Sequence, residues 1–302
     1  MRIDKPSAVL FGSSFSLGMA LNDEDTLSAR LSQGLGQVIY NASATFDPIL
    51  RADRMIETAR TIGLKNGWIL LEVLNRQPLQ FGAPPSSHSL PVIAKERLKY
   101  LSAVAGMAPR DWSPVISLQR KISNPAALMR VATLLNMRLQ DDHLLPNSLK
   151  DSYVFSEEQL ISGRSVLVYS ADKRFAQNPA SPLDTATSLI RLRDELDRHG
   201  YRLAVFLLPN AYSVYYPLYR NHPADDASAT YMTELTACLE GHKVPVLNLL
   251  PALRNAARTE LSSDRMMYYP DDSHWNPLGC ATAANAMVPW LDGLLRGSEL
   301  RQ

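Results

Sequence analysis

The sequence is poor in cysteine and has almost no excess of charge of either sign. Its two cysteines, Cys238 and Cys280, lie far apart and lack the Cys or His spacing of a zinc site. We therefore expect two reduced thiols, no metal site and no cofactor. Its 31 basic and 30 acidic residues give a net charge of +1, and no basic run is present, which argues against nucleic-acid binding.

Long apolar runs are also missing. No stretch approaches the roughly 20 residues of a membrane-spanning helix, so we expect no transmembrane segment. The beginning of the chain, MRIDKPSAVLFG, lacks the features of a signal peptide, and as it stands the sequence predicts a cytoplasmic protein. Met1 lies only a few residues before the first predicted strand. A longer native amino terminus would be compatible with a periplasmic or cell-envelope location.

Short apolar runs alternate with amphipathic stretches along much of the 302-residue chain. Strands are predicted at residues 7–11, 37–40, 67–74, 165–169, 202–208 and 244–249. Helical patterns lie between them and at residues 277–295. Such alternation is typical of a parallel sheet with right-handed crossovers. We predict one domain, residues 1–302, with an α/β fold: a three-layer αβα sandwich around a flavodoxin-like parallel sheet.

The alternation is interrupted between residues 76 and 163. This segment begins with a Pro- and Ser-rich stretch at residues 82–87 and continues with helical patterns near residues 92–105 and 125–139. We interpret residues 76–163 as an inserted segment of helices and loops that covers one end of the sheet.

Candidate catalytic residues follow the predicted strands, where doubly wound sheets bind their ligands. Ser14 comes two positions after the glycine that closes the first strand, and His274 precedes the last predicted helix. A serine hydroxyl is a weak nucleophile, so it needs a base such as His274 and an acid that orients this base. Asp271 and Asp272 both precede His274 at a suitable spacing, and the sequence leaves the choice between them open.

The negative charge that develops on an attacked carbonyl oxygen needs hydrogen-bond donors. Donors are expected at the same carboxyl edge of the sheet from three places: the turn at Ser14, Ala42 or Ser43 after the second strand, and Asn75 after the third strand. These positions are the predicted oxyanion donors.

Three further residues are candidates for substrate binding, each with a simpler structural interpretation. Arg76 could meet an anionic substrate or form a salt bridge. Trp275 could line an acyl or sugar pocket or pack under the active-site loop. Tyr212, together with Tyr215 and Tyr216, could stack on a sugar ring or pack against the protein.

Two segments of the sequence resemble the SGNH (GDSL-like) hydrolase superfamily. GSSFSLG, residues 12–18, resembles its first block, and DDSHWNPLG, residues 271–279, resembles its last block. LLPNAYSVY, residues 207–215, and DSHWNP, residues 272–277, more particularly resemble the SGNH domains of the alginate O-acetyltransferase-related branch. The resemblance extends from about residue 7 to residue 295, without the middle third.

The resemblance implies Ser14 as nucleophile, His274 as base and Asp272 as orienting acid, with Asp271 as the alternative. It also implies an oxyanion role for Asn75. Ser13 stands where the first block usually has aspartate.

The implied activity is ester chemistry on an acylated, typically acetylated, carbohydrate. An acyl-Ser14 intermediate would serve either an esterase or an O-acyltransferase with a polysaccharide acceptor. The alternative is a non-catalytic SGNH-like domain that binds glycan or a protein partner in polysaccharide assembly.

Overall fold

In a computed structural model of the chain, apolar strands form the core of the fold. The model describes residues 5–43, 49–75, 80–81, 155–222, 225–270 and 272–299, and all of these lie in one compact unit. The strands are β1 (Ala8–Phe11), β2 (Ile39–Asn41), β3 (Ile49–Leu50), β4 (Gly67–Leu74), β5 (Gln80–Phe81), β6 (Phe155–Gln159), β7 (Ser165–Tyr169), β8 (Tyr201–Leu208) and β9 (Val246–Asn248).

Helices connect most of these strands. They are α1 (Ser14–Leu17), α2 (Leu27–Leu35), α3 (Ala52–Thr61), α4 (Ser170–Gln177), α5 (Pro182–Arg198), α6 (Ala211–Tyr215), α7 (Ala227–Gly241), α8 (Leu250–Ser262) and α9 (Pro277–Glu299). Short 3-10 helices span Asp23–Asp25 and Tyr216–Leu218. Within the described ranges, no helix combines the length and the apolar character needed to cross a membrane.

The central sheet has five parallel strands in the order β2-β1-β4-β8-β9. Counted within the sheet alone, this is the 2-1-3-4-5 order of flavodoxin-like folds, in which ligands bind between the first and third strands. The two longest strands, β4 and β8, are buried along almost their whole length, as expected for a parallel sheet covered on both faces. The predicted fold is confirmed.

The helices form two groups that cover the sheet. α2 packs against α9, while α5 packs against α3 and α7. The predicted helix start at Pro182 is the first residue of α5, and the helix is followed by Gly200 in a left-handed conformation with φ of 81°. Helices α4, α6 and α8 were not predicted from the sequence.

The strand predicted at residues 165–169 does not join the central sheet. β7 instead pairs antiparallel with β6 in a separate hairpin. The physical reason is visible in its burial, because Val166 and Val168 are buried while their neighbours are partly exposed. That alternation belongs to a sheet with one solvated face, whereas the central strands are buried on both faces.

The predicted insertion, residues 76–163, lies mostly outside the described residues. Of this segment the structure describes β5, which pairs in parallel with β3, and residues 155–163, which include β6.

Candidate active site

Ser14 is the first residue of α1, the single-turn helix that follows β1. Ser13 caps this helix, because its backbone is extended and its Oγ accepts the N–H of Phe15 at 3.3 Å. The helix ends at Gly18, whose φ of 90° is a left-handed conformation that suits glycine. This arrangement places Ser14 at the carboxyl end of β1, at the edge where the fold type binds its ligands.

His274 lies in the loop that precedes α9, and hydrogen bonds hold this loop in place. The carbonyl of His274 accepts the N–H of Tyr269 at 3.1 Å, and Trp275 pairs with Tyr268 in an isolated β-bridge. The hydroxyl of Tyr269 donates to the carbonyl of Ala20 at 2.8 Å. The histidine loop is therefore fixed to the segment that follows α1.

Three side chains from these two segments lie in a continuous line of contacts. The Nε2 of His274 is 2.7 Å from the Oγ of Ser14, and its Nδ1 is 2.8 Å from the Oδ1 of Asp272. The Phe15 ring lies against the imidazole, with 4.8 Å between the ring centres. The side chains of His274 and Asp272 are 12% and 19% exposed, so the line is sheltered but open to small molecules.

Asp272 is the acid that contacts the imidazole. Burial raises the pKa of its carboxyl, but the hydrogen bonds and charge of His274 and the backbone N–H of Ser273 outweigh burial and hold that pKa below its usual value. Asp272 is therefore ionised at neutral pH. The alternative acid, Asp271, lies outside the described residues, as does Arg76.

The predicted oxyanion donors after β2 are already used within the protein. The N–H of Ala42 donates to the carbonyl of Leu10 at 2.8 Å and extends the ladder of β1 and β2. The N–H of Ser43 donates to the Oδ1 of Asn41 at 3.0 Å. In this arrangement neither backbone group is available to a substrate oxygen.

Asn75 is also used elsewhere. It is 2% exposed, and its two amide hydrogens are directed to the hydroxyls of Ser213 and Ser228, at 2.9 and 2.8 Å. Its Oδ1 accepts the N–H of Asn210 at 2.7 Å. The structure therefore gives Asn75 a buried network between β4, α6 and α7 in place of the oxyanion role implied by the resemblance.

Two other donors belong to α1, the helix of the nucleophile, or contact it. Among the described residues, the Ser14 N–H at the start of α1 makes no hydrogen bond. Asn41, at the end of β2, donates one amide hydrogen to the carbonyl of Ser16 at 2.9 Å. The second amide hydrogen of Asn41 makes no hydrogen bond to any of the described residues. Sequence reasoning missed Asn41 because it gave more weight to the residues that follow it.

A buried carboxyl group contacts α1 from the sheet. Glu72, in β4, is 6% exposed and accepts hydrogen bonds from the Ser13 hydroxyl, the Ser16 hydroxyl and the Ser16 N–H, the last at 3.0 Å. Burial raises the pKa of Glu72, and the hydrogen bonds from the two serines offset only part of this rise. The signal for it in the sequence is a single acidic residue inside the apolar run GWILLEVL.

The predicted substrate-binding aromatics are core residues. Tyr212 is 2% exposed and stacks on Tyr219, with 5.2 Å between the ring centres. Trp275 is fully buried and meets the edge of Phe15. The interpretation in which these side chains pack within the protein is the one that the structure supports, since neither presents a free face to a sugar.

Comparison with known families identifies one match. Residues 166–295 match the family model described as the SGNH hydrolase-like domain of the acetyltransferase AlgX. This range is less than half of the chain; it contains Asp272 and His274 but not Ser14. The resemblance to the SGNH superfamily and its alginate-related branch is confirmed over these residues, and it supports esterase or acetyltransferase chemistry in general. No curated protein matches the chain.

Several solved structures resemble the chain at low identity. They include the psychrotrophic esterase EstA from Pseudoalteromonas sp. (10% identity, 96% of this chain and 99% of that chain, TM-score 0.43). Others are the acetyl xylan esterase AlAXEase (9%, 93% and 97%, TM-score 0.43) and phospholipase A1 from Streptomyces albidoflavus NA297 (9%, 96% and 99%, TM-score 0.38). At these TM-scores they carry no argument about function.

Proposed function

We propose that this chain is a serine-dependent enzyme of ester chemistry, in which Ser14 takes an acyl group from one oxygen and passes it to another. The observation that carries the proposal is the line of contacts from the Ser14 hydroxyl through the His274 imidazole to the Asp272 carboxylate. A nucleophile, a base and an orienting acid in this order are the parts that acyl transfer requires.

In the first half of the reaction, the Oγ of Ser14 forms a bond to the carbonyl carbon while the Nε2 of His274 takes its proton. The Asp272 carboxylate stabilises the resulting imidazolium. When the tetrahedral intermediate collapses, the bond to the leaving oxygen breaks and His274 returns the proton to that oxygen. The products of this half are a free alcohol and an acyl-Ser14 ester.

In the second half, an acceptor hydroxyl attacks the acyl-Ser14 ester as His274 removes the acceptor's proton. His274 then protonates the Ser14 oxygen as it leaves, which restores the enzyme. Water as acceptor makes the protein an esterase, whereas a sugar hydroxyl makes it an O-acyltransferase. The same three side chains serve both, because the outcome depends on which acceptor the site admits.

The oxyanion that forms in both halves needs donors beside Ser14. We propose the N–H of Ser14 and the second amide hydrogen of Asn41 for this role. Both groups adjoin α1, and neither has an acceptor among the described residues. Asn75, whose amide hydrogens are both engaged, is not included.

For the substrate we propose an acetylated carbohydrate. The support is the match of residues 166–295 to a domain described as an acetyltransferase, together with the partly exposed position of Ser14 after the carboxyl end of β1. A polysaccharide hydroxyl is the proposed acceptor in the transferase form of the reaction.

Two observations favour a second candidate, a non-catalytic domain that binds glycan or a protein partner. The family match omits the segment of Ser14, and Asn75 is committed to the core. In this candidate the contact between Ser14 and His274 would be a structural hydrogen bond.

Hydrolysis of p-nitrophenyl acetate distinguishes the two candidates. The enzyme proposal predicts turnover by the wild type and a fall in kcat/KM of about 10⁴-fold in Ser14→Ala and in His274→Ala. Ser262→Ala is the matched control, because this serine is exposed at the end of α8 and its hydroxyl donates to the carbonyl of Thr259 in the same helix. Wild type without turnover supports the binding domain instead.

Product analysis in the presence of an unacetylated oligosaccharide then separates the two enzymatic forms. Acetylated oligosaccharide supports the O-acyltransferase, whereas acetate alone supports the esterase.

A further inference from the structure

Glu72 is a carboxyl group in an unfavourable place. It lies near the carboxyl end of β4, the central strand of a five-stranded sheet, and all the other residues from Trp68 to Leu74 are apolar and buried. Moving a carboxylate from water into such surroundings is strongly unfavourable unless hydrogen bonds replace its hydration. An apolar residue would pack here at a much lower cost, so the carboxyl group points to a requirement beyond the stability of the strand.

The partners of Glu72 all belong to the segment that carries Ser14. One carboxyl oxygen, Oε1, accepts the hydroxyl hydrogen of Ser13, immediately before the nucleophile. The other oxygen, Oε2, accepts both the hydroxyl hydrogen and the N–H of Ser16, two positions after it. The two oxygens therefore hold α1 on both sides of Ser14.

The backbone is shaped to admit this carboxyl group. A Cβ atom at position 12 would lie 2.7 Å from the Oε2 of Glu72 and 2.7 Å from the side chain of Ser16, both well inside normal contact distance. Gly12 is thus the residue that permits the close approach of β4 to the start of α1. Any side chain there would displace either the carboxyl group or the helix.

We propose that Glu72 is a positioning residue for the nucleophile. It holds the two neighbours of Ser14 so that the Ser14 hydroxyl stays within hydrogen-bond distance of His274. Glu72 has no hydrogen bond to Ser14 or His274 themselves, so it acts through Ser13 and Ser16. The inference rests on the proposed function and adds to it the support of the reacting serine from the sheet.

The expected effect follows from the geometry of attack. A displacement of the reacting groups of the order of 1 Å can lower the rate of a chemical step by about 100-fold. Glutamine at position 72 has the shape of glutamate, but only one of its terminal atoms accepts hydrogen bonds. It cannot accept from Ser13 on one side and from Ser16 on the other, so α1 loses part of its support.

The experiment measures kcat and KM separately for p-nitrophenyl acetate with Glu72→Gln. We expect kcat to fall by about 10- to 100-fold while KM changes by less than about threefold, because binding does not involve the carboxyl group. The matched control is Val73→Ala. Val73 is equally buried in β4 but points to the opposite face of the sheet, so its truncation should lower stability and leave kcat unchanged.

A double-mutant cycle tests the route of the effect. Ser16→Ala removes one donor to Glu72, so it should lower kcat less when Glu72 is already replaced. We expect the fold-reduction of kcat by Ser16→Ala to be at least about threefold larger in the wild-type background than in the Glu72→Gln background. Independent, multiplicative effects of the two substitutions on kcat would overturn the inference. If Glu72→Gln does not fold, Ser13→Ala and Ser16→Ala carry the same test from the side of α1, and wild-type kcat in both would overturn it.

The two proposals fail in different ways. A wild-type protein without turnover refutes the proposed function. An active wild type with an equally active, folded Glu72→Gln variant refutes the positioning role alone.

Discussion

One oxygen of Asp272 fixes both the side chain and the backbone of His274. The Oδ1 of Asp272 lies 2.8 Å from the imidazole Nδ1 and 3.2 Å from the backbone nitrogen of the same residue. This double contact sets the orientation of the ring and the shape of the loop together. It directs the other ring nitrogen, Nε2, to Ser14.

The first prediction concerns this contact. Asp272→Asn retains the shape of the side chain but removes the charge that stabilises the imidazolium, so kcat for p-nitrophenyl acetate should fall by about 10³- to 10⁴-fold. Steady-state kinetics measures the effect, and Asp292→Asn is the control, because this partly exposed aspartate pairs with Arg296 on α9. A kcat of Asp272→Asn within threefold of the wild type would rule out the proposed role of Asp272.

The second prediction concerns Asn75. Truncation to alanine removes the amide that bonds the buried hydroxyls of Ser213 and Ser228 and the buried N–H of Asn210, and the free energy of unfolding should fall by about 2 kcal/mol or more. Since its amide does not face the substrate, kcat of the folded fraction should stay close to the wild-type value. Urea unfolding and kinetics on the same preparations test both statements, and a large loss of kcat at unchanged stability would restore its oxyanion role.

The third prediction concerns Asn41. Asn41→Ala removes an amide hydrogen that we assign to the oxyanion, so kcat should fall by about 10²-fold with little change in KM. Asn41→Asp is the companion variant. It keeps the size of the side chain but replaces the donor with an acceptor, so it should be at least as impaired. Activity of both variants near the wild-type value would show that the oxyanion is bound by other groups.

The fourth prediction follows from the raised pKa of Glu72. A group whose pKa is higher in the folded than in the unfolded protein contributes to stability in its protonated form. This contribution is complete below the unfolded pKa, which is near 4.5 for Glu72, and it is lost as the pH rises through the folded pKa. Glutamine does not titrate. The free energy of unfolding of the wild type, relative to Glu72→Gln, should therefore decrease as the pH rises from about 4.5. Urea titrations across this range give the difference, and a difference that increases with pH would contradict the burial described here.

The fifth prediction concerns the packing of the histidine loop against α9. A Cβ atom at Gly279 would lie 2.2 Å from the carbonyl oxygen of Met267, so Gly279→Ala should lower the free energy of unfolding by about 3 kcal/mol and disturb the loop of His274. Gly293→Ala in the same helix is the matched control. Apart from the adjacent residues and the backbone of its own helix turn, no atom of the described residues lies within 4 Å of its added Cβ, and alanine there should stabilise the protein by up to about 1 kcal/mol. Equal thermal denaturation midpoints for the two variants would contradict this account.

The sequence predicts the central sheet well because its strands are apolar runs bounded by glycine and polar residues. The interpretation was wrong for residues 165–169, where a short apolar run was taken for a central strand. Its alternating burial depends on pairing with residues 155–159, which a reading of local pattern does not reveal. Helix α8 is not predicted because Leu249 and Leu250 continue the apolar run of β9 beyond Asn248 and obscure the start of the helix.

The residues of the candidate active site were likewise only partly predictable from the sequence. Ser14 and His274 could be found from the sequence because Ser14 follows a glycine at the end of the first strand and His274 follows two acids just before the last helix. The fold brings these two segments together. Asn41 and Glu72 could not be assigned in the same way, since their roles depend on which hydrogen bonds remain after folding. The tertiary contacts, and not the residue types, distinguish the amide of Asn41 from the buried amide of Asn75.

The central claim is that the Ser14 hydroxyl is activated by His274 for attack on an ester. Intact-mass and peptide mass spectrometry after incubation with a fluorophosphonate test it most directly. We predict one adduct per chain, on the peptide of Ser14, with labelling abolished in Ser14→Ala and slowed by at least about 10³-fold in His274→Ala. A wild-type protein that remains unlabelled, or that is labelled at another residue, would contradict the account.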